Sequence, residues 1–182
     1  REPHMKMKDY VKDLNHLYKN EKALHEIDNT YEGFDFIDPN NKDQSIITLM
    51  RLSKNPKDFI IAVLNFTPNV YYDYKVGVPY EGVYEEILNS DNEKYYGSNQ
   101  TMADAELVSV DEKWHNKPYH ITIKVPPLGA TFIKLKREKV KKDVVDEEIE
   151  ISVKENTDTV GEKSSINVTV EKDSNVVKVN KI

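Results

Sequence analysis

Five histidines could carry protons or hold a metal: His4, His16, His25, His115 and His120. A helical zinc site places two histidines four residues apart, because that step puts both rings on one face. No pair here has that spacing, and none sits in a His-Glu-x-x-His pattern. The five rings therefore read as surface or half-buried histidines. Paired carboxylates could suggest glycosidic chemistry, in which one carboxyl protonates the leaving oxygen and the other attacks or activates water. Asp35/Asp38, Glu85/Glu86 and Asp91/Glu93 are the candidate pairs. Neighbours on a strand point to opposite faces, so Glu85 and Glu86 cannot grip one bond. Acids two or three apart in turn-rich sequence read as solvated charges. Cysteine is absent, which excludes disulfides, thiol nucleophiles and cysteine-ligated zinc. There is no phosphate-binding glycine loop and no Gly-x-Ser-x-Gly turn. The sequence thus predicts no catalytic residue, no metal and no cofactor.

The other unusual chemistry is aromatic. The stretch "LNFTPNVYYDYKVGVP" brings Tyr71, Tyr72 and Tyr74 into four residues. Sugars present C–H faces that pack on aromatic rings, while a phenol hydroxyl reaches sugar hydroxyls. The competing reading is structural: a tyrosine at a strand end packs its ring on the core, or on a neighbouring domain, and leaves its hydroxyl wet. Tyr95 and Tyr96, before Gly97-Ser98-Asn99, and Trp114, in "DEKWHNKP", carry the same two readings. These six residues are the candidate sugar contacts.

Three zones must position them. Arg1 to Met5 read as a cloning remnant. Met7 to Leu24 reads as an amphipathic helix, with Tyr10, Val11, Leu14, Leu17 and Tyr18 at three- and four-residue steps. Its apolar stripe must lie against something, because a lone helix of this length is unstable. Folding back on the next zone or pairing with a second copy would satisfy it. Removing residues 1–24 is then expected to change stability little.

Residues 28–136 read as all-β. "SIITLMRLS" and "DFIIAVLNF" are continuous apolar runs, as in strands covered on both faces. "GVYEEILNS", "AELVSV", "YHITIKV" and "ATFIKLK" alternate in the half-buried manner. Turn signals at Pro39-Asn40-Asn41, Asn55-Pro56, Asn116-Lys117-Pro118 and Pro126-Pro127 separate them. Seven or eight short strands at this spacing predict an antiparallel β-sandwich. Residues 137–182 differ in kind. All 17 aromatic residues and all eight prolines precede them, and "IEISVKENTD" is echoed by "INVTVEKDSN" 17 residues on. Such a charged, β-prone tail is expected to be flexible or to add a strand to a sheet edge. Ile149, Ile151 and Val153 could pair with Ile166, Val168 and Val170.

Charged residues make up 32% of the chain and the net charge is −6. That balance argues against nucleic acid, which needs clustered Lys and Arg. No apolar run approaches the roughly 20 residues of a membrane-spanning helix, and no secretory leader is recognised. A cytoplasmic location is expected. The Asn-x-Thr triplets at Asn65, Asn99 and Asn167 would then carry no glycan.

Five blocks, in order, are more specific than their periodicity: "VKDLNHLYKNEKALHEID", "YEGFDFID", "DQSIITLMRLSKNPKDFIIAVLNFTP", "YKVGVPYEGVYEEILNSDNEKYYGSN" and "YHITIKVPPLGATFIKL". Together, from about Met7 to Leu135, they resemble the C-terminal part of bacterial 1,4-α-glucan (glycogen) branching enzymes of the α-amylase superfamily. The departures are mild: Phe36 and Tyr84 stand where the family usually has an aromatic, often Trp, and Asn89-Ser90-Asp91 and Tyr96-Gly97-Ser98 replace close variants. The resemblance implies that residues 6–27 are the last helix of a (β/α)8 barrel absent here. It implies that 28–136 are the C-terminal β-sandwich and that 137–182 lie outside the match. Catalytic acids of such enzymes sit at the barrel's strand ends, so none carries over. The expected partners are the other domains of a parent enzyme and, weakly, α-glucan, with no membrane. An autonomous carbohydrate-binding sandwich is the alternative.

Overall fold

The computed structural model describes residues 2–139 and, beyond them, the backbone of two short strands at 166–169 and 178–181. Residues 1–139 and 140–182 form separate units.

The first unit opens with helix α1, Glu2–Asn20. Pro3 is tolerated in its first turn, where no backbone N–H is needed for the helical ladder. Glu2 and Lys19 sit at the ends where their charges suit the helix dipole. The helix therefore includes Glu2 to Met5, four of the residues read as a cloning remnant. Tyr10, Leu14 and Leu17 are half-buried, whereas Met7, Val11 and Tyr18 remain exposed.

The half-buried stripe folds back on the β unit. Tyr10 meets Tyr95 edge to face at 5.1 Å. The Tyr95 hydroxyl donates to Asp13 Oδ2 at 2.7 Å, and Lys94 Nζ pairs with the same carboxylate at 2.5 Å. Burial, with the Asp13 carboxylate beside it, pushes the Tyr95 phenol up to about 12. The link after α1 is tied down as well. Ala23 is 1% exposed, Glu21 pairs with Lys134, and Arg51 donates to Gly33 O and Leu24 O while pairing with Asp28. A deletion through residue 24 would thus open the β unit itself. A cut that spares its packing must stop before Glu21.

Eight strands follow: β1 Phe34–Asn41, β2 Ile46–Leu52, β3 Phe59–Asn65, β4 Tyr71–Val78, β5 Gly82–Asn89, β6 Leu107–Val108, β7 Tyr119–Val125 and β8 Ala130–Glu138. Six form one antiparallel sheet in the order β1-β2-β3-β8-β5-β6, and β4 pairs with β7 in a second sheet. This is the antiparallel two-sheet fold that the alternating runs predict. Phe59, Ile61, Val63, Tyr84 and Ile133 of the large sheet and Val76, Val78, Ile121, Ile123 and Val125 of the small one share one buried cluster.

Strand β3 is covered on both faces, as its unbroken apolar run requires. Ile60 and Ala62 point away from that cluster's residues and are still buried. The single turn of 3-10 helix at Lys22–Leu24 lies against β2 and β3 on the way from α1. Strand β2 departs from expectation. Ile46, Thr48 and Met50 are buried, but Ile47, Leu49 and Arg51 are only half-covered. Its run is continuous in sequence, yet its outward face has a thinner lid. The edge strand β1 carries Asp35, Asp38 and Pro39, which suit an edge because they discourage further pairing.

Glu86 on β5 is half-buried. It accepts from Asn89 Nδ2 at 2.9 Å and from Met102 N at 3.2 Å, and burial raises its pKa. A carboxyl raised in the folded state favours folding fully below the ordinary value of 4.5. That contribution is lost as pH climbs through the raised value. Glu86→Gln removes the buried charge but keeps one of the two acceptor oxygens. Its urea midpoint relative to that of the parent is therefore expected to rise between pH 4 and pH 7.5. A difference independent of pH would show that Glu86 titrates alike in the folded and unfolded chain.

In the second unit, β9 Ile166–Thr169 pairs antiparallel with β10 Lys178–Lys181, Ile166 opposite Lys181 and Thr169 opposite Lys178. Half of the expected tail pairing, Ile149 to Val153, lies outside the described residues, as does Val170. The described partner of Ile166 and Val168 is β10.

Candidate functional site

The run "NFTPN" before the tyrosines carries the chain from β3 in the large sheet to β4 in the small one. Asn65, 3% exposed, organises the crossing. Its Nδ2 donates to Asn69 O and Pro126 O, both at 2.8 Å, and its Oδ1 accepts from Thr67 N and Thr67 Oγ1, both at 2.9 Å. A buried amide with donors and acceptors matched this way fixes the backbone that enters β4.

Strand β4 then lines an open groove of about 520 Å³ between itself, the β1–β2 turn and the turn at Trp114. Four of the six candidate aromatics lie on it: Tyr71, Tyr72, Tyr74 and Trp114. Their roles differ. Tyr71 is half-buried against the core, and its hydroxyl donates to Gln44 O at 3.3 Å. Tyr74 is buried. Its hydroxyl accepts from Asn41 Nδ2 at 3.3 Å, donates to Asp38 Oδ2 at 3.4 Å, and lies 3.4 Å from Thr48 Oγ1. Burial raises its pKa, so the phenol is a neutral donor. A bulge in the β4–β7 ladder falls between Tyr71 and Tyr74. It leaves Tyr72 66% exposed and Asp73 exposed at the groove.

Trp114 is held by a tight turn. Trp114 N donates to Lys117 O at 3.0 Å and Lys117 N returns a bond to Trp114 O at 2.8 Å. His115 and Asn116 take φ of 46° and 58°, the paired left-handed conformation of a type I′ turn. Gly77 lets this turn approach β4, because a Cβ there would stand 2.2 Å from Trp114 O. Lys75 Nζ lies 5.1 Å from the centre of the Trp114 ring and pairs with Glu112 at 2.9 Å. His115 Nε2 is 3.4 Å from Asp38 Oδ2. Burial lowers the His115 pKa, and Asp38 partly opposes the shift.

Tyr95 and Tyr96 lie elsewhere, on the loop cradled by Asp91. Tyr95 packs on α1, and Tyr96, at φ 74°, is 64% exposed. The acid pairs are engaged separately. Asp35 pairs with Lys117 at 2.6 Å, Asp38 faces His115 and Tyr74, and Glu85 pairs with Lys136 at 3.3 Å. Asp91 accepts from three groups of its own loop. Sequence reasoning missed the groove's polar side: Asn41, Gln44, Asp73 and Lys75 are ordinary residue types without a motif. Among the described residues no helix is long and apolar enough to cross a membrane.

An unequal antiparallel sandwich of this kind has known counterparts. Residues 36–136 match the alpha amylase C-terminal all-beta domain, and the chain belongs to that family. Its similarity to individual proteins is more specific. It is 45% identical over 130 residues to the 1,4-alpha-glucan branching enzyme GlgB of Oceanobacillus iheyensis, covering 71% of this chain and 20% of that enzyme. The branching enzyme of Halothermothrix orenii is 46% identical over 131 residues, 72% of this chain and 21% of the enzyme. That of Francisella philomiragia is 46% identical over 134 residues, 74% and 21%. The chain thus spans about a fifth of the length of these relatives, and the matched family is their C-terminal all-β domain rather than a catalytic barrel.

Proposed function

We propose that this chain is the non-catalytic C-terminal β-sandwich of a cytoplasmic 1,4-α-glucan branching enzyme that acts in glycogen synthesis. The observation that carries this reading is 45% identity over 130 residues, restricted to a fifth of a branching enzyme. The parent enzyme would cut an α-1,4 link by the retaining route. One carboxylate attacks the anomeric carbon while a protonated carboxyl donates to the leaving oxygen. A glucan 6-hydroxyl, in place of water, then takes the glucosyl group and forms the α-1,6 branch. Those carboxyls belong to a barrel domain, at its strand ends.

In this reading the sandwich stabilises the barrel, and α1 is the barrel's last helix. The exposed side chains Met7, Val11 and Tyr18 suit that role, since large apolar groups on a helix face favour burial by about 1.5–3 kcal/mol each. The partners are therefore the remaining domains of the parent. The test is incubation of the 182-residue chain with amylose, followed by debranching and chain-length analysis. No α-1,6 branch points above a buffer blank are expected. Branching that survives repurification would contradict a non-catalytic role.

A further inference from the structure

We propose that the groove between β4, the β1–β2 turn and the Trp114 turn holds a short run of α-1,4-glucan, with Tyr72 and Trp114 as its stacking surfaces. The identity of the sugar rests on the branching-enzyme reading; the groove itself rests on geometry. Its volume of about 520 Å³ falls within the range of small-molecule sites. Tyr72 offers most of its ring to solvent and Trp114 offers 38% of its surface. Lys75 lies over the Trp114 ring, so the indole is steadied by a cation–π contact as well as by its turn. The Trp114 ring, set by its turn and by Lys75, therefore has little freedom to lose on binding.

The polar groups suit a neutral, hydroxyl-rich chain. Asn41 Nδ2 donates to Gln44 Oε1 at 2.7 Å, and Gln44 N donates to Asn41 Oδ1 at 3.3 Å. This fixes the Gln44 amide and leaves its Nε2 without a protein acceptor among the described residues. The Asp73 carboxylate is exposed beside Tyr72 and pairs with no cation among the described residues. An amide donor and a carboxylate acceptor flanking an aromatic surface can serve hydroxyls around a pyranose ring. The Asp73 charge and the net charge of −6 disfavour phosphorylated or other anionic ligands.

Trp114 is the chain's only tryptophan, so indole fluorescence reports from the groove itself. Titration of the full 182-residue chain with maltoheptaose is expected to give a saturable fluorescence change. Tyr72→Ala should weaken it about tenfold, the loss of one ring-stacking contact. Tyr96→Ala, at an exposed aromatic away from the groove, should leave it unchanged. Cellohexaose, with the same sugar in β linkage, should respond more weakly than maltoheptaose. The groove assignment is overturned by no saturable change, by a titration indifferent to Tyr72→Ala, or by equal response to cellohexaose. None of those results touches the domain reading, which an exchange of domains between enzymes decides on its own.

Discussion

Replacing Phe59 with alanine is expected to cost the first unit about 3–5 kcal/mol, the loss typical of an aromatic side chain removed from a packed core. Phe59 is 0% exposed and lies in β3, which is flanked by β2 and β8 in the large sheet. Its ring stands 5.9 Å from that of Tyr80 and 6.3 Å from that of Tyr84. Tyr84 is itself 0% exposed and donates its hydroxyl to Tyr80 O at 2.8 Å, so it cannot swing into the space without breaking that bond. The cavity therefore stays open. Urea unfolding should show a large fall in midpoint for Phe59→Ala and a change within about 0.5 kcal/mol for Phe66→Ala. Phe66 is 61% exposed. Similar losses at both positions would mean that the core is not where the buried cluster places it.

Asp91→Ala is expected to cost about 3 kcal/mol and to loosen α1 as well. The Asp91 carboxylate accepts from Ser98 N and Ser98 Oγ at 2.8 Å and from Gln100 N at 2.9 Å, while the residue is 9% exposed. Hydrogen bonds to a charged acceptor are the stronger kind, and the substitution leaves two backbone donors without a partner. The same loop carries Lys94 and Tyr95, which hold Asp13 and Tyr10 of α1. Amide exchange should therefore accelerate in residues 92–100 and in α1 together, with β3 unchanged. Acceleration in the loop alone would separate the helix from the loop that grips it.

Much of the fold could be read from single residues. The unbroken apolar run of β3 gave a strand covered on both faces, and the alternating runs of β5, β7 and β8 gave half-buried strands. The similar run of β2 misled, because cover over an outward face comes from distant chain, here a short turn and the Arg51 network. Strand partners were equally hidden. The β3–β8 and β5–β8 ladders join segments far apart in sequence, and hydrophobic period carries no record of the partner. Aromatic density in 71–74 falls on the strand that lines the β4 groove. What distinguishes exposed Tyr72 from buried Tyr74 is a bulge in the β4–β7 ladder and a hydroxyl network reaching Asp38, Asn41 and Thr48. Neither leaves a local signature.

The family match and the described fold agree on a two-sheet alpha amylase C-terminal all-beta domain. The most direct measurement replaces the homologous C-terminal domain of the Oceanobacillus iheyensis branching enzyme with residues 21–139 of this chain, which keeps the Glu21–Lys134 pair and buried Ala23, and assays α-1,6 branch formation on amylose. The account predicts a soluble chimaera with branching of the same order as the parent, and loss of both solubility and branching when the domain is simply deleted. A folded chimaera without branching would contradict the assignment of this chain to a branching enzyme.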